Sequence, residues 1–421
     1  MDLTSALNHP GVERILTCED IPGERHTGLI LQDWPLMIET GEETRYIGDV
    51  LAVVVAATEQ NAREAAGKIR VDYEVLSPVT DPNETLESTS TKVHAKGNLL
   101  SNVEISRGDL NAAHEKSTFV TRGTYSTQRI EHAFMEMECC LARPWEQGVE
   151  VYSQSQGVYE DRKSISSLLG LPQEQVRVML MPNGGGFGGK EDLSVQGHAS
   201  LAAYLMKKPV RVSLTREESI CMHPKRHPLS MDIEMGCDSE GRFTFVKSDI
   251  IGDTGAYASV GMKVLERAAG HATGAYHVDV VEVRSRAVYT NNIPCGAMRG
   301  FGVNQINFAV ESCVDELCEM GGFDRWQIRY DNALTPGGMT STGQVLQSGI
   351  GIRKTLEALK NVFQKSKFAG IACGIKNTGI GNGVPDTGKV KIVVESSERI
   401  VIHQGWTETV SYTHLTLPTK A

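Results

Sequence analysis

A run of glycines around one phenylalanine is the feature of this sequence best suited to chemistry. Residues 184–191 read GGGFGGKE and contain five glycines. Because glycine has no Cβ, the backbone here can approach a bound group very closely. An apolar run, Val176 to Met181, precedes the loop, and a helical pattern, Ser194 to Lys207, follows it. A strand, a glycine loop and the start of a helix form a suitable cradle for an anion or an oxo group.

The same loop also fits two nucleotide-binding patterns. Its first, third and last glycines match G-x-G-x-x-G, and Lys190 completes G-x-x-x-x-G-K. Glu191 stands where the second pattern requires a Ser or Thr to hold magnesium. The first pattern requires an acid about 20 residues further on, and Glu217 lies outside the strand-like run Val210 to Leu214. Nucleotide binding, with Lys190 pointing back over the loop, is one alternative, and a plain strand-to-helix turn is another.

Composition excludes several classes of protein. The chain has 421 residues, a formal charge of −10 and 40% hydrophobic residues, and the acidic balance argues against a nucleic-acid surface. No apolar run approaches the roughly 18 residues of a membrane helix. The nine cysteines are scattered through a long chain, a pattern typical of a reducing cytoplasm. We therefore predict a cytoplasmic protein that binds neither nucleic acid nor membrane.

The cysteines do not form a recognisable metal-binding pattern. Cys313 and Cys318 have the spacing that opens a plant-type iron–sulfur site, but the following Cys-x₂-Cys is absent. Both fall in a helical pattern, Asn304 to Met320, which predicts that they are thiols of the core. No cluster of His, Cys and carboxylate residues has zinc spacing. The sequence therefore predicts no metal held by protein ligands.

The chain divides into a small N-terminal unit, a polar segment and a large remainder. In residues 1–80 we predict a strand, Asp49 to Ala56, a helix, Glu59 to Ile69, and a second strand, Val71 to Leu76. This is a small α/β unit.

Residues 81–117 are polar, contain Pro and a Ser/Thr run, and are predicted to be a linker. Residues 118–409 alternate strand-like and helical segments, which predicts a large mixed α/β domain. The expected fold class is therefore α+β.

Segments along most of the chain resemble the molybdenum hydroxylase family, which contains the xanthine dehydrogenases and aldehyde oxidases. The glycine loop resembles the signature loop of that family. Further similar segments occur in family order and at family-like spacing: RYIGDVLAVVVAATEQNAREAAGKIRVDYEVL, EHAFMEMECCLARPW, VYSQSQGV, VLERAAGHATGAYHV and CGAMRGFGVNQINFAVES. The likeness is to a molybdopterin-binding subunit of the xanthine dehydrogenase type. It implies an α/β-hammerhead domain in residues 1–80 and a molybdopterin-binding domain in residues 118–409.

The resemblance stops inside a motif at its C-terminal end. HQGWTET, which ends at Thr409, continues in the family into a glycine-rich cofactor loop, whereas VSYTHLTLPT looks like a translated sequencing adapter. We therefore expect residues 410–421 to be a read-through tail, with a natural flexible tail as the alternative. Met1 falls inside the hammerhead-like region, so we expect a fragment truncated at both ends. The general-base glutamate of the family would lie beyond Thr409, and the fragment alone is expected to be inactive.

The resemblance implies which residues face the cofactor. In the family the molybdenum atom is held by a pterin dithiolene and has no protein ligand. The side-chain amide of Gln156 would donate toward an oxo group, and Gln154 is the competing candidate. The other cofactor-contacting residues that the resemblance implies are Gly186, Phe187, Gly188 and Arg299.

The resemblance also implies a substrate. Glu191 and Arg267 match positions that hold a purine in xanthine-oxidising members, and Phe301 matches an aromatic residue that stacks on the ring. The implied reaction is hydroxylation of a purine or related N-heterocycle with water as the oxygen source. An aldehyde or nicotinate-type hydroxylase is the alternative. Asn382 stands about where a second stacking Phe is found in the family, so the packing around the ring would differ.

Electrons released in such a reaction need acceptors that this sequence does not supply. The resemblance implies 2Fe-2S and FAD modules, either in missing regions of the polypeptide or in partner subunits. It also implies a dimer of the complete assembly.

Overall fold

The computed structural model describes residues 1–87, 89–378, 388 and 390–411. Helices accompany several sheets with antiparallel and parallel pairs, so the predicted α+β class is confirmed. The N-terminal unit contains α1 (Thr4–Leu7), β1 (Val12–Leu16), β2 (His26–Thr27), β3 (Trp34–Pro35), β4 (Val53–Ala56) and α2 (Glu59–Ala66).

Only part of the predicted N-terminal unit has formed. The β-branched run of β4 pairs antiparallel with β1, and the hydroxyl of Thr58 caps α2 by accepting from the backbone N–H of Asn61. The predicted strand Val71 to Leu76 is wrong. An isolated bridge between Asp2 and Arg70 precedes this segment, and no strand pairing continues beyond it among the described residues. Val75 is 90% exposed. A strand needs a hydrogen-bonded neighbour, and the described residues provide none for this segment.

The predicted linker is also wrong over much of its length. Within it lie β5 (Leu99–Arg107) and α3 (Leu110–Lys116). β5 pairs with a central strand of the large sheet, and Asp109 caps α3 by accepting from the N–H of Ala112. Exposed and half-buried residues alternate along β5, and several of them are polar. Its composition therefore resembles that of a linker.

One four-stranded sheet positions the glycine loop. It is formed by β7 (Cys139–Trp145), β8 (Gly148–Ser153), β9 (Val176–Leu180) and β10 (Val210–Ser213), in the order β10-β7-β8-β9. The helices that pack with it are α4 (Val158–Leu169), α5 (Val195–Met206) and α6 (Arg216–Met222). β8 and β9 are parallel, with Ser153 beside Leu180. The segments that follow these two strands therefore leave the sheet at the same edge.

A five-stranded sheet carries the rest of the site. It contains β6 (Phe119–Ser126), β11 (Leu229–Cys237), β12 (Phe243–Gly255) and β13 (Val280–Tyr289), in the order β5-β13-β12-β11-β6. Against it pack α7 (Gly261–Gly270), α8 (Val303–Gly321) and α9 (Arg325–Asn332). The parallel strands β12 and β13 are joined through α7. Cys313 and Cys318 are buried in this core, as predicted.

The last described elements are α10 (Ile352–Lys365), β14 (Val390–Ser396) and β15 (Arg399–Gln404). β14 and β15 pair as an exposed hairpin. No helix among the described residues is long and apolar enough to cross a membrane. Asn382 and residues 412–421 lie outside the described residues.

Candidate active site

Gln156 is held against the glycine loop by three hydrogen bonds. Its side-chain Oε1 accepts from the backbone N–H groups of Gly188 (3.0 Å) and Lys190 (3.3 Å). Its own backbone N–H donates to the carbonyl of Lys190 at 2.8 Å. The described residues provide no acceptor for the Nε2 group. The carboxamide is thus oriented by its oxygen, and its N–H groups are available as donors.

Gly186 lets the loop approach this side chain closely. A Cβ added at residue 186 would lie 2.4 Å from Oε1 of Gln156. A real Cβ does not come this near to another heavy atom. The glycine therefore has a steric role, in addition to the conformational freedom that glycine gives a turn.

Two backbone donors of the loop converge on one oxygen. The N–H groups of Gly186 and Phe187 both donate to the carbonyl oxygen of Thr409, each at 3.2 Å. The carbonyl of Phe187 accepts from the N–H of Arg299 at 2.8 Å, and Phe187 has a positive φ of 54°. A pair of adjacent N–H groups that accommodates one oxygen atom is suited to an oxo or other anionic group.

Lys190 does not point over the loop. Its side chain is 3% exposed, and its ammonium group donates to the backbone carbonyl of Glu136 (2.8 Å) and to Oε1 of Gln154. The carboxylate of Glu136 lies 3.5 Å from the same nitrogen. A phosphate-binding lysine would point toward a ligand in the loop. Because the ammonium group of Lys190 points away from the loop, the structure does not support the nucleotide-binding alternative.

Gln154 is fully used in the structure of the loop. Its Nε2 donates to the carbonyls of Met137 (2.7 Å) and Cys139 (3.2 Å), while its Oε1 accepts from Lys190. Of the two glutamines that compete for the cofactor-facing role, Gln156 is therefore the one with free donors.

Glu191 lies at the junction of the loop, the N-terminal unit and α4. With Thr27, Trp34 and Ser164 it lines a cavity of only about 10 Å³, which is too small for a ring substrate. Burial, and then the neighbouring carboxylate of Asp192, raise the pKa of Glu191 to about 7. The described residues place no cation close enough to oppose this shift.

Arg267 lies in the last turn of α7. Two acids that could pair with it have other partners: Glu266 pairs with Lys263 (2.8 Å) and Asp253 pairs with Arg129. Instead Arg267 lies near Lys376, whose pKa is lowered by burial and then by the charge of Arg267. Among the described residues the structure shows no hydrogen bond or ion pair between Arg267 and Glu191, and the pKa of Glu191 is shifted by burial and by Asp192.

Arg299 and Phe301 share a tight turn. The N–H of Phe301 donates to the carbonyl of Met298 at 2.9 Å, and φ of Phe301 is 53°. A Cβ at Gly302 would lie 2.2 Å from the carbonyl of Val264, so the turn presses on α7. The turn that contains Phe301 therefore packs against the helix on which Arg267 lies.

The side chain of Arg299 is exposed, while its backbone N–H donates to the carbonyl of Phe187.

A buried polar cluster behind Gly189 was not predicted from the sequence. A Cβ at Gly189 would lie 2.6 Å from Nε2 of His223 and 2.9 Å from the ring of His132. These two imidazoles and the carboxylate of Glu131 bring three potential ligand atoms within 4.8 Å of one another. The ammonium group of Lys225 lies 2.6 Å from that carboxylate, so a cation already fills the cluster. In the sequence these residues stand out only as the charged and histidine-containing motifs EHAF and HPKRH.

Comparison with known proteins gives these features a context. Residues 92–333 match the family model described as a molybdopterin cofactor-binding domain. Residues 1–77 match the a/b hammerhead domain of aldehyde oxidase and xanthine dehydrogenase.

Three relatives illustrate the range of similar proteins. The chain is 38% identical over 358 residues to the nicotinate dehydrogenase large molybdopterin subunit of Eubacterium barkeri, covering 85% of this chain and 84% of that protein. It is 31% identical over 374 residues to the xanthine dehydrogenase molybdenum-binding subunit of Escherichia coli O157:H7, covering 85% of this chain and 49% of the relative. The aldehyde oxidoreductase structure from Desulfovibrio gigas matches with a TM-score of 0.83 and 27% identity, over 86% of this chain and 41% of that one.

Proposed function

The chain belongs to the molybdenum hydroxylase family, and from that premise we propose that it is the molybdopterin-binding part of an oxidoreductase that hydroxylates an aromatic N-heterocycle, with water as the oxygen source. The family predicted from sequence is confirmed by both domain matches, as is the α/β-hammerhead domain. The observation that carries the proposal is the arrangement of Gln156 beside the glycine loop, with its oxygen bound and its amide N–H groups free.

The residues of this site fit a molybdopterin cofactor. The donor set consists of the free Gln156 amide and the paired N–H groups of Gly186 and Phe187, which donate to the carbonyl of Thr409 in this structure. Such donors suit oxygen atoms on a metal centre. Gly188 and Arg299 complete the residues that would hold it. When bound, the cofactor supplies the two-electron redox chemistry. The protein contributes no metal ligand in this proposal, and it orients the cofactor through these outer contacts.

We propose that Glu191, Arg267 and Phe301 bind a purine-like ring. A fixed guanidinium stabilises negative charge that develops on the ring during oxidation, and it can orient a planar substrate through paired hydrogen bonds. A carboxyl group with a pKa of about 7 can donate to a ring nitrogen or accept from a ring N–H at neutral pH. Stacking by Phe301 would add about 1 kcal/mol.

A pyridine carboxylate is the second candidate substrate. The positive charge of Lys376 lies near that of Arg267, and two neighbouring cations suit a ring that carries its own carboxylate. The relative named as a nicotinate dehydrogenase is 38% identical to this chain. A simple aldehyde uses neither the acid nor the cations, which makes it the least favoured of the three classes.

We propose further that electrons leave through 2Fe-2S and FAD modules of the complete cytoplasmic assembly, which we expect to be a dimer. The cysteines with an iron–sulfur-like spacing, Cys313 and Cys318, are buried on α8 and pack in the core. Reading frames adjacent to the gene should encode the missing modules. Their absence from the locus and from the rest of the polypeptide would contradict this proposal.

The substrate is tested with the complete enzyme and its redox partners. Xanthine, hypoxanthine, nicotinate and small aldehydes are compared by kcat/KM. Turnover of xanthine or hypoxanthine supports the purine assignment, and turnover of nicotinate alone supports the pyridine carboxylate. Activity confined to aldehydes overturns the proposal of an N-heterocycle.

A further inference from the structure

Lys190 is a buried cation to which the proposed chemistry gives no role. It directly follows the glycine loop and precedes Glu191, yet its side chain turns away from both toward Gln154 and Glu136. Burial lowers the pKa of Lys190, and the carboxylates of Glu136 and Glu138 oppose that effect. Placing an ammonium group in such a site is costly unless the group is well bound. Three oxygen atoms, two from Glu136 and one from Gln154, surround it.

The backbone of this lysine is bonded to Gln156 at both ends. Its N–H donates to the side-chain oxygen of Gln156 at 3.3 Å, and its carbonyl accepts from the backbone N–H of Gln156 at 2.8 Å. The side chain of Lys190 is at the same time fixed to Gln154, two residues before Gln156. The lysine thus connects the segment after β8 to the loop after β9 at three points.

We propose that Lys190 is a positioning residue, which fixes the carboxamide of Gln156 so that its N–H groups face the cofactor site. This inference rests on the proposed function, because it concerns the donor that the cofactor would contact. If the ammonium anchor is lost, the backbone of residue 190 is free to shift, and Oε1 of Gln156 loses one of its two donors. Small displacements of a preorganised contact reduce turnover strongly.

The contacts of Gln154 make the arrangement specific. Its amide nitrogen is bonded to the carbonyls of Met137 and Cys139, so its oxygen is held in one direction and presents a fixed acceptor to the lysine. The ring of Phe134 lies 4.5 Å from the ammonium nitrogen and closes one side of the site. An uncharged side chain could fill this space but could not be bound in the same orientation.

The test uses Lys190→Met in the complete, cofactor-loaded enzyme. Methionine has a similar length and no charge. We expect kcat to fall about tenfold or more, with KM changed less than about twofold. We also expect a changed molybdenum electron paramagnetic resonance spectrum in the partly reduced enzyme, at unchanged metal content. Lys190→Arg, which can donate to the same oxygens, should restore much of kcat and of the spectrum.

Controls separate positioning from stability. Lys208→Met removes an exposed lysine that pairs with Glu13, and should leave kcat and the spectrum unchanged. If Lys190→Met does not fold, Gln154→Leu removes the acceptor while the lysine is kept, and should shift the spectrum in the same direction. A variant with a lowered melting temperature but a wild-type spectrum and kcat would overturn the inference. A wild-type enzyme that lacks molybdenum, or that oxidises no heterocycle, would instead contradict the proposed function.

Discussion

The proposed cofactor-facing and substrate-facing halves of the site are built differently. The cofactor-facing half, formed by Gln156 and the glycine loop, is held by backbone N–H and carbonyl groups and by a buried lysine. The proposed substrate-facing half consists of three side chains from separate segments: Glu191 directly after the glycine loop, Arg267 on α7 and Phe301 in the turn before α8. A site held by backbone hydrogen bonds suits a partner that is the same in every member of a family, such as a cofactor. Side chains that project from separate elements can be replaced individually, which suits a family whose members are named for different substrates.

The largest effect is expected from a side chain introduced into the cofactor-facing half. In Gly186→Val, the new Cβ would meet Oε1 of Gln156, which lies 2.4 Å from its ideal position. We expect the variant to lose at least about 100-fold in activity and most of its molybdenum, because either the loop or the carboxamide of Gln156 must move and the hydrogen bonds between them are lost. Metal content and kcat measure this. Gly351→Val is the control, since nothing lies within 4 Å of its Cβ position and its φ is negative. Equal losses in both variants would contradict a local steric cause.

The substrate-facing half should respond selectively. In the double variant Glu191→Val with Arg267→Met, purine or pyridine carboxylate turnover should lose about 2–5 kcal/mol of transition-state stabilisation. Small aldehydes do not use these anchors, and any turnover of them should change little. The ratio of kcat/KM values between the two substrate types is the measurement. Equal losses would mean that the pair supports the cofactor or the fold, and the distinction between the two halves would fail.

A smaller effect concerns stability and pH at Glu191. Its folded-state pKa is about 7, against an ordinary value of 4.5. As pH rises from about 4.5 to 7, the unfolded chain releases this proton first, so the wild type loses stability across that window. The glutamine in Glu191→Gln does not titrate. We expect this variant to be more stable than the wild type by roughly 3 kcal/mol at pH 8, with the gain disappearing below about pH 4.5.

Urea denaturation at several pH values measures this difference. Glu160→Gln is the matched control, because it replaces an exposed carboxylate that lines the same small cavity. Its free energy of unfolding should show the same pH dependence as that of the wild type. A gain for Glu191→Gln that is constant with pH would show that the carboxyl group is not perturbed by burial.

The two halves also differed in how far the sequence could predict them. The glycine loop, its flanking strand β9 and helix α5 were predicted nearly to their ends, because glycine spacing and apolar periodicity are local signals. The strand β5 was missed and the strand at Val71 to Leu76 was wrongly predicted, because a strand depends on a partner distant in sequence.

The same limit applies to single side chains. The lysine of the loop invited a phosphate-binding interpretation, and nothing local indicated that its ammonium group would be buried against Gln154 and Glu136. Likewise, Gln154 and Gln156 are alike in sequence. They differ in the structure because one is bonded at both ends of its amide and the other only at its oxygen.

The central claim is that this chain orients a molybdenum cofactor for hydroxylation of an N-heterocycle with oxygen from water. The most direct measurement is turnover by the complete, metal-analysed enzyme in water labelled with heavy oxygen, followed by mass spectrometry of the product. The account predicts stoichiometric molybdenum and a hydroxylated ring that carries the heavy isotope. An enzyme without molybdenum, or a product whose new oxygen comes from O₂, would contradict it.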